Sequence, residues 1–104
     1  MQTITEEKPG CIGYALSILG DKWTTPIVRE LTECPKKFSE LELALPGISP
    51  RTLSQRLRKL TAEKIVLRQE YCARPPRAMY ALTPKGSELK LVIQQMSNWG
   101  ARYH

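Results

Sequence analysis

From Cys11 onward, apolar residues recur at helical intervals. Ile12, Ala15, Leu16 and Leu19 stand at i, i+3, i+4 and i+7, which predicts a first helix closed by Gly20 as its C-terminal cap. Asp21 opens a second helix with Trp23, Ile27, Val28 and Leu31 on one side, and Cys34-Pro35 ends it. Pro26 falls early in that helix, where a missing N–H costs least. Lys36-Lys37-Phe38 is long enough only for a bridge or a minimal strand. Ser39 and Glu42 have capping-box spacing, and Leu41, Ala44 and Leu45 give a short third helix its stripe before the Pro46-Gly47 turn. Ser49 then offers an N-cap hydroxyl and Pro50 the favoured first helical position, predicting a fourth helix over 49–63. At about 100° per residue its Leu53, Leu57 and Leu60 share one narrow sector that can pack on Leu41 and Leu45.

The period changes after residue 63. Ile65, Leu67 and Tyr71 alternate against Arg68 and Glu70, and residues 77–82 alternate again through Ala78, Tyr80 and Leu82. Arg74-Pro75-Pro76 between them reads as a stiff loop, so residues 65–83 form a hairpin. Thr83-Pro84 repeats the cap signal and starts a last helix over 84–103, with Leu89, Val92, Ile93, Met96 and Trp99 at helical spacing. Residues 1–9 lack any period and read as a loose arm. Residues 1–104 are therefore expected to form a single domain, mainly α with a small β-hairpin.

Composition then narrows the function. No apolar run approaches the ~20 residues of a membrane span, and the N-terminus carries acids and no apolar core of a signal peptide. A cytoplasmic location with no membrane role is the default. Cys11, Cys34 and Cys72 are far apart and odd in number, which argues against a disulfide framework and a structural zinc site. Cys34 and Cys72 read as inert, packed small residues. The one histidine, His104, is the last residue given. No carboxylate pair, Ser-His or Cys-His arrangement, glycine-rich phosphate loop or metal cluster is present, so no enzyme, catalytic residue, metal or cofactor is expected.

Charge is segregated. Residues 1–47 carry a net −2, residues 48–86 a net +7 and residues 87–104 a net +1. Such clustering marks a polyanion partner more often than a merely solvated face. Two short helices joined by Pro-Gly across 39–63, the second cationic on its free side, followed by a basic hairpin, form the pattern of a winged helix-turn-helix. The fourth helix would then enter the major groove of double-stranded DNA, with Arg51, Thr52 and Gln55 near its start reaching bases. Arg56, Arg58 and Lys59 would reach phosphates, and Arg74 and Arg77 at the hairpin tip the neighbouring minor groove. Ser39 and Ser49, hydroxyls at two helix starts, complete the expected DNA contacts. A single winged helix touches few base pairs and the last helix needs a cover, so a homodimer is expected. Leu89, Val92, Ile93, Met96 and Trp99 would form its interface, with Ile12, Ala15 and Leu19 beside them.

The stretches GDKWTTPIVREL, KFSELELALPGISPRTLSQRLRKL and RPPRAMYALTPKGSEL, in this order, resemble the three signature blocks of HxlR-type winged helix-turn-helix regulators. The resemblance spans about residues 11–100. It implies a bacterial or archaeal transcription factor that binds an operator as a homodimer through its terminal helices. It also implies that Cys11, just before the first helix, occupies the position of a cysteine that several members use to sense oxidants or electrophiles. Where the family often has Pro after that cysteine, Ile12 stands here.

Two alternatives stay open. Cys11 is either a thiol sensor, since a helix start favours a thiolate, or a structural residue. The domain is either a sequence-specific regulator or a winged-helix nucleic-acid or protein-interaction module without a sensing role. RNA recognition would call for exposed aromatics to stack on bases, and the one Phe, two Trp and four Tyr fall mostly at core positions.

Overall fold

The computed structural model describes residues 10–104, so the expected loose arm lies outside the described residues. Its elements, in chain order, are α1 (Gly10–Leu19), α2 (Thr24–Glu33), β1 (Lys36–Lys37), α3 (Phe38–Ala44), α4 (Pro50–Ala62), β2 (Val66–Ala73), β3 (Pro76–Leu82) and α5 (Pro84–Tyr103). This is a winged helix-turn-helix. The minimal strand β1 joins the expected hairpin to make a three-stranded antiparallel sheet in the order β1-β3-β2. The core collects Ile27 and Leu31 of α2, Leu41 of α3, Leu53, Leu57 and Leu60 of α4, and Ile65 and Val66 at the start of the wing.

The chain makes its corners with local hydrogen bonds. Asp21 takes the N–H groups of Trp23 and Thr24 at 2.8 and 3.0 Å and the Thr24 hydroxyl at 2.6 Å, so α2 starts at Thr24 beneath this carboxylate. Ser49 accepts the Thr52 N–H and Thr83 accepts the Gly86 N–H, each at 3.0 Å, with Pro50 and Pro84 at the first helical positions as expected. The turn between α3 and α4 uses Gly47 at φ +93°, a region that residues with a Cβ avoid. At the end of α4, Lys64 N–H bonds to Thr61 O and Ile65 N–H to Leu60 O, a Schellman closure. It places Lys64 at φ 63°, in the left-handed region without being glycine.

Several local expectations are corrected. Gly20 does not cap α1 in the left-handed region; it is needed because a Cβ there would lie 2.6 Å from the Leu16 carbonyl oxygen. The box at α3 is not Ser39–Glu42: the helix begins two residues earlier, and Glu40 accepts the Lys37 N–H at 2.7 Å. In α1 the buried residue is Ile18, while Ile12 and Leu16 are exposed, because only one edge of this helix meets the core. The first strand of the wing has the opposite phase from that expected, while Tyr80 and Leu82 of β3 pack on the core as expected. Ile65 is buried in the closure of α4, the strand starts at buried Val66, and Leu67 faces outward. Pro76 is not part of the loop; it is the first residue of β3, paired with Ala73, a strand position that tolerates a missing N–H. Cys34 is exposed at the end of α2 rather than packed, and Cys72 is half-buried.

Candidate nucleic-acid interface

The recognition face is built from the leucine stripe outward. Leu53, Leu57 and Leu60 are at most 2% exposed, which fixes the rotation of α4 about its own axis. The residues opposite them must then face solvent, and Arg51, Gln55 and Arg58 do so. Arg51 and Gln55 stand within the first two turns, the end of a recognition helix that meets base edges. Thr52 lies beside them, half-buried, and its hydroxyl receives the Ser49 hydroxyl at 2.9 Å. The Ser49 oxygen also caps the helix start, and the residue is exposed. Ser39 is exposed near the start of α3.

Two of the expected phosphate binders are turned the other way. Lys59 Nζ donates to the Ser17 carbonyl at 2.6 Å, satisfying one of the free acceptors at the end of α1. Arg56 Nε lies 3.3 Å from Asp21 Oδ1 without the alignment of a hydrogen bond. Both sit on the flank of α4 that faces α1 and meet protein acceptors there, which the sequence did not reveal. Burial pushes the Asp21 carboxyl up. Hydrogen bonds from the Thr24 hydroxyl and the Trp23 and Thr24 N–H groups, with the Arg56 charge, outweigh it and hold the group below its ordinary 3.8.

The opposite flank of α4 faces the wing across an open cleft of about 460 Å³ lined by Ser54, Arg58, Thr61, Arg68 and Tyr80 among others. A second cleft of about 320 Å³ continues it past Lys37, Ser39, Arg68, Tyr71 and Arg77. Among the described residues no carboxylate lines either one. The cross-strand pair Arg68 and Tyr80 forms the shared wall, with Tyr80 packed inward on the core. Simple alternation would put Tyr71 on the far face with Leu67. An irregularity between Glu70 and Cys72 resets the phase and brings Tyr71 into the cleft, with Lys37 Nζ 5.8 Å from its ring centre. Arg74 occupies the turn and Arg77 the first part of β3, both exposed. Sequence reading missed Lys37, Arg68 and Tyr71. The charge of Arg68 was visible, but its side of the sheet was not. Lys36, next to Lys37, is not free: Glu33 and Glu30, at 3.3 and 3.4 Å, pair with it, and the Glu33 carboxylate leads in raising its pKa.

The expected dimer residues divide. Ile12 (74% exposed), Val92, Met96 and Trp99 are exposed, together with Leu16, Leu91 and Tyr103. Ala15 is half-buried. Leu19, Leu89 and Ile93 instead pack on the chain's own interior, because the inner edges of α1 and α5 must cover α2 and the wing base; these three are corrected to core positions. Cys11 is exposed in the first turn of α1. Tyr14, three residues on, donates to Glu63 Oε1 at 2.9 Å and accepts from Lys85 Nζ at 2.7 Å, linking α1 to the ends of α4 and α5.

With this geometry in view, the HxlR-like helix-turn-helix profile matches residues 18–104. The HTH-type transcriptional regulator YodB of Bacillus subtilis is 37% identical over 89 residues, covering 86% of this chain and 80% of that protein. The crystal structure of diamide-treated YodB superposes with a TM-score of 0.76 at 36% identity, over 88% of this chain and 90% of that one. The redox regulator HypR in its oxidised form gives 0.80 at 32% identity, over 89% of this chain and 96% of that one.

Proposed function

This chain belongs to the HxlR-like helix-turn-helix family of transcriptional regulators, and from that premise we propose that it reads a double-stranded operator as a homodimer under thiol control. The observation that carries the reading is the outward face of α4. Arg51, Gln55 and Arg58 are exposed there, beside clefts whose lining, among the described residues, holds cations and no acid. Arg51, Thr52 and Gln55 read base edges, while Arg58, Arg68 and Lys37 follow the phosphates between helix and wing. Arg74 and Arg77 reach past the tip to the neighbouring minor groove.

The dimer forms through the exposed apolar residues of α1 and α5, chiefly Ile12, Val92, Met96 and Trp99. Two recognition helices then meet half-sites about one DNA turn, ~34 Å, apart. Cys11, exposed on α1, is the control point, a reading supported by relatives whose structures are of diamide-treated and oxidised states. A regulator of this kind acts by binding rather than catalysis, in the compartment that holds the chromosome. Among the described residues no helix is long and apolar enough to cross a membrane.

The test is selection of duplexes from a random library, with and without diamide, for the wild type and Cys11→Ser. The expected result is a palindromic site bound by a sedimenting dimer and released by oxidant only when Cys11 is present. A monomer at micromolar concentration refutes the dimer, and equal release of Cys11→Ser makes Cys11 structural.

A further inference from the structure

A cleft of about 250 Å³ opens between α2 and α5 and shares no lining residue with the wing clefts. Its apolar lining is Val28, fully buried, and Ile93, 6% exposed. Its rim carries one cation from each helix, Arg29 and Lys90. Neither makes an ion pair or a side-chain hydrogen bond among the described residues, although Lys36, Arg56, Lys59 and Lys85 all have protein partners. The other polar lining groups are neutral. The Thr32 hydroxyl donates to the Val28 carbonyl and keeps lone pairs, Gln94 gives its amide to Asn98, and Ser97 is exposed. Among the described residues no acid lines the cleft to neutralise its two cations.

We infer that this cleft binds a small organic monoanion with an apolar body. Two unpaired cations held apart by two helices, over a floor of Val and Ile, complement one carboxylate above one ring or short aliphatic chain. An inorganic anion would leave the floor unused, and a neutral ligand would leave both charges unanswered.

The position on α5 also matters. At about 100° per residue, Lys90, Ile93, Gln94 and Ser97 centre roughly 145° around the axis from exposed Val92, Met96, Trp99 and Tyr103. A dimer formed through the exposed apolar face therefore leaves the cleft open. A bound anion spans Arg29 on α2 and Lys90 on α5, so it biases the angle at which α5 leaves the DNA-reading body. Thiol chemistry at Cys11 on α1 is a separate input.

Binding is measured on the full chain without DNA, which keeps this test independent of the operator and of Cys11. Benzoate is the probe, with benzamide as its neutral isostere and phosphate as an anion lacking an apolar body. Methyl NMR shifts of Val28 and Ile93 should titrate with benzoate and not with the other two. The double variant Arg29→Gln/Lys90→Gln, which changes only exposed side chains, should bind benzoate at least about tenfold more weakly. Equal titration by benzamide, equal titration by phosphate, unchanged affinity in the double variant, or no response at millimolar benzoate each overturns the inference.

Discussion

The two flanks of α4 carry similar residues and do different work. Toward α1, Arg56 and Lys59 meet Asp21 and the Ser17 carbonyl and hold the helix against the body. Toward the wing, Arg58 shares a cleft with Arg68, continued by one that holds Lys37 and Arg77, and among the described residues no acid lines either. A run of cations on one short helix is thus not one electrostatic unit. Roughly half of it is consumed in placing the other half. The deciding factor is the nearest acceptor. A helix C-terminus supplies unsatisfied carbonyls within reach of a lysine, whereas on the wing side Arg58 meets the neutral Ser54 hydroxyl and no carboxylate among the described residues.

The largest disruption removes what separates the flanks. Leu57, 2% exposed, sets the rotation of α4, so Leu57→Ala should cost about 2–5 kcal/mol in denaturant unfolding and abolish the contrast between the two sides. Arg51→Ala, on the free face, should lose roughly 1–3 kcal/mol on the cognate duplex and relax its selectivity while leaving stability intact. Equal loss on cognate and random DNA would make Arg51 a phosphate contact.

On the tied flank, Asp21→Ala should cost about 1–2 kcal/mol of stability at neutral pH, since it removes the hydrogen bonds at the start of α2. The folded pKa of Asp21 is depressed, so its contribution is fully present above the unfolded value of 3.8 and fades as pH falls through the folded value. Wild type and variant should therefore converge in acid; a constant gap down to low pH would mean that the charge of Asp21 is irrelevant.

A finer comparison sets neighbours against each other. Arg58→Ala should flatten the salt dependence of DNA binding by about 0.9 in log K per log salt, with stability unchanged. Lys59→Ala should leave that slope alone and lower stability by about 1 kcal/mol through the lost bond to Ser17. If both variants flatten the slope, the distinction between flanks fails. The smallest effect sits where the flanks converge. Lys64→Gly relieves a left-handed residue at φ 63° and should raise stability by roughly 0.5 kcal/mol in the same unfolding experiment.

Much of this protein is decided by short-range order and so was legible in the chain itself. Ser49-Pro50 and Thr83-Pro84 start their helices because a hydroxyl and a fixed φ act within three residues. The leucine stripe of α4 sets which side is buried, and with it the solvent exposure of Arg51, Gln55 and Arg58. Charge segregation pointed to the partner class because a polyanion acts on the sum of charges, which needs no coordinates.

What only the tertiary structure decided are the pairings that depend on distant neighbours. Arg56 and Lys59, expected at phosphates, meet Asp21 and the Ser17 carbonyl, and Ser17 is 42 residues from Lys59 in sequence. Leu19, Leu89 and Ile93 turned inward because α2 and the wing base needed cover, while Val92, Met96 and Trp99 on the same helix as Ile93 stayed out. Tyr71 entered the cleft through a local shift of register against β3. Periodicity fixes which residues share a side of an element; it carries no information about which other element arrives to occupy that side, because that depends on contacts between positions far apart in the chain.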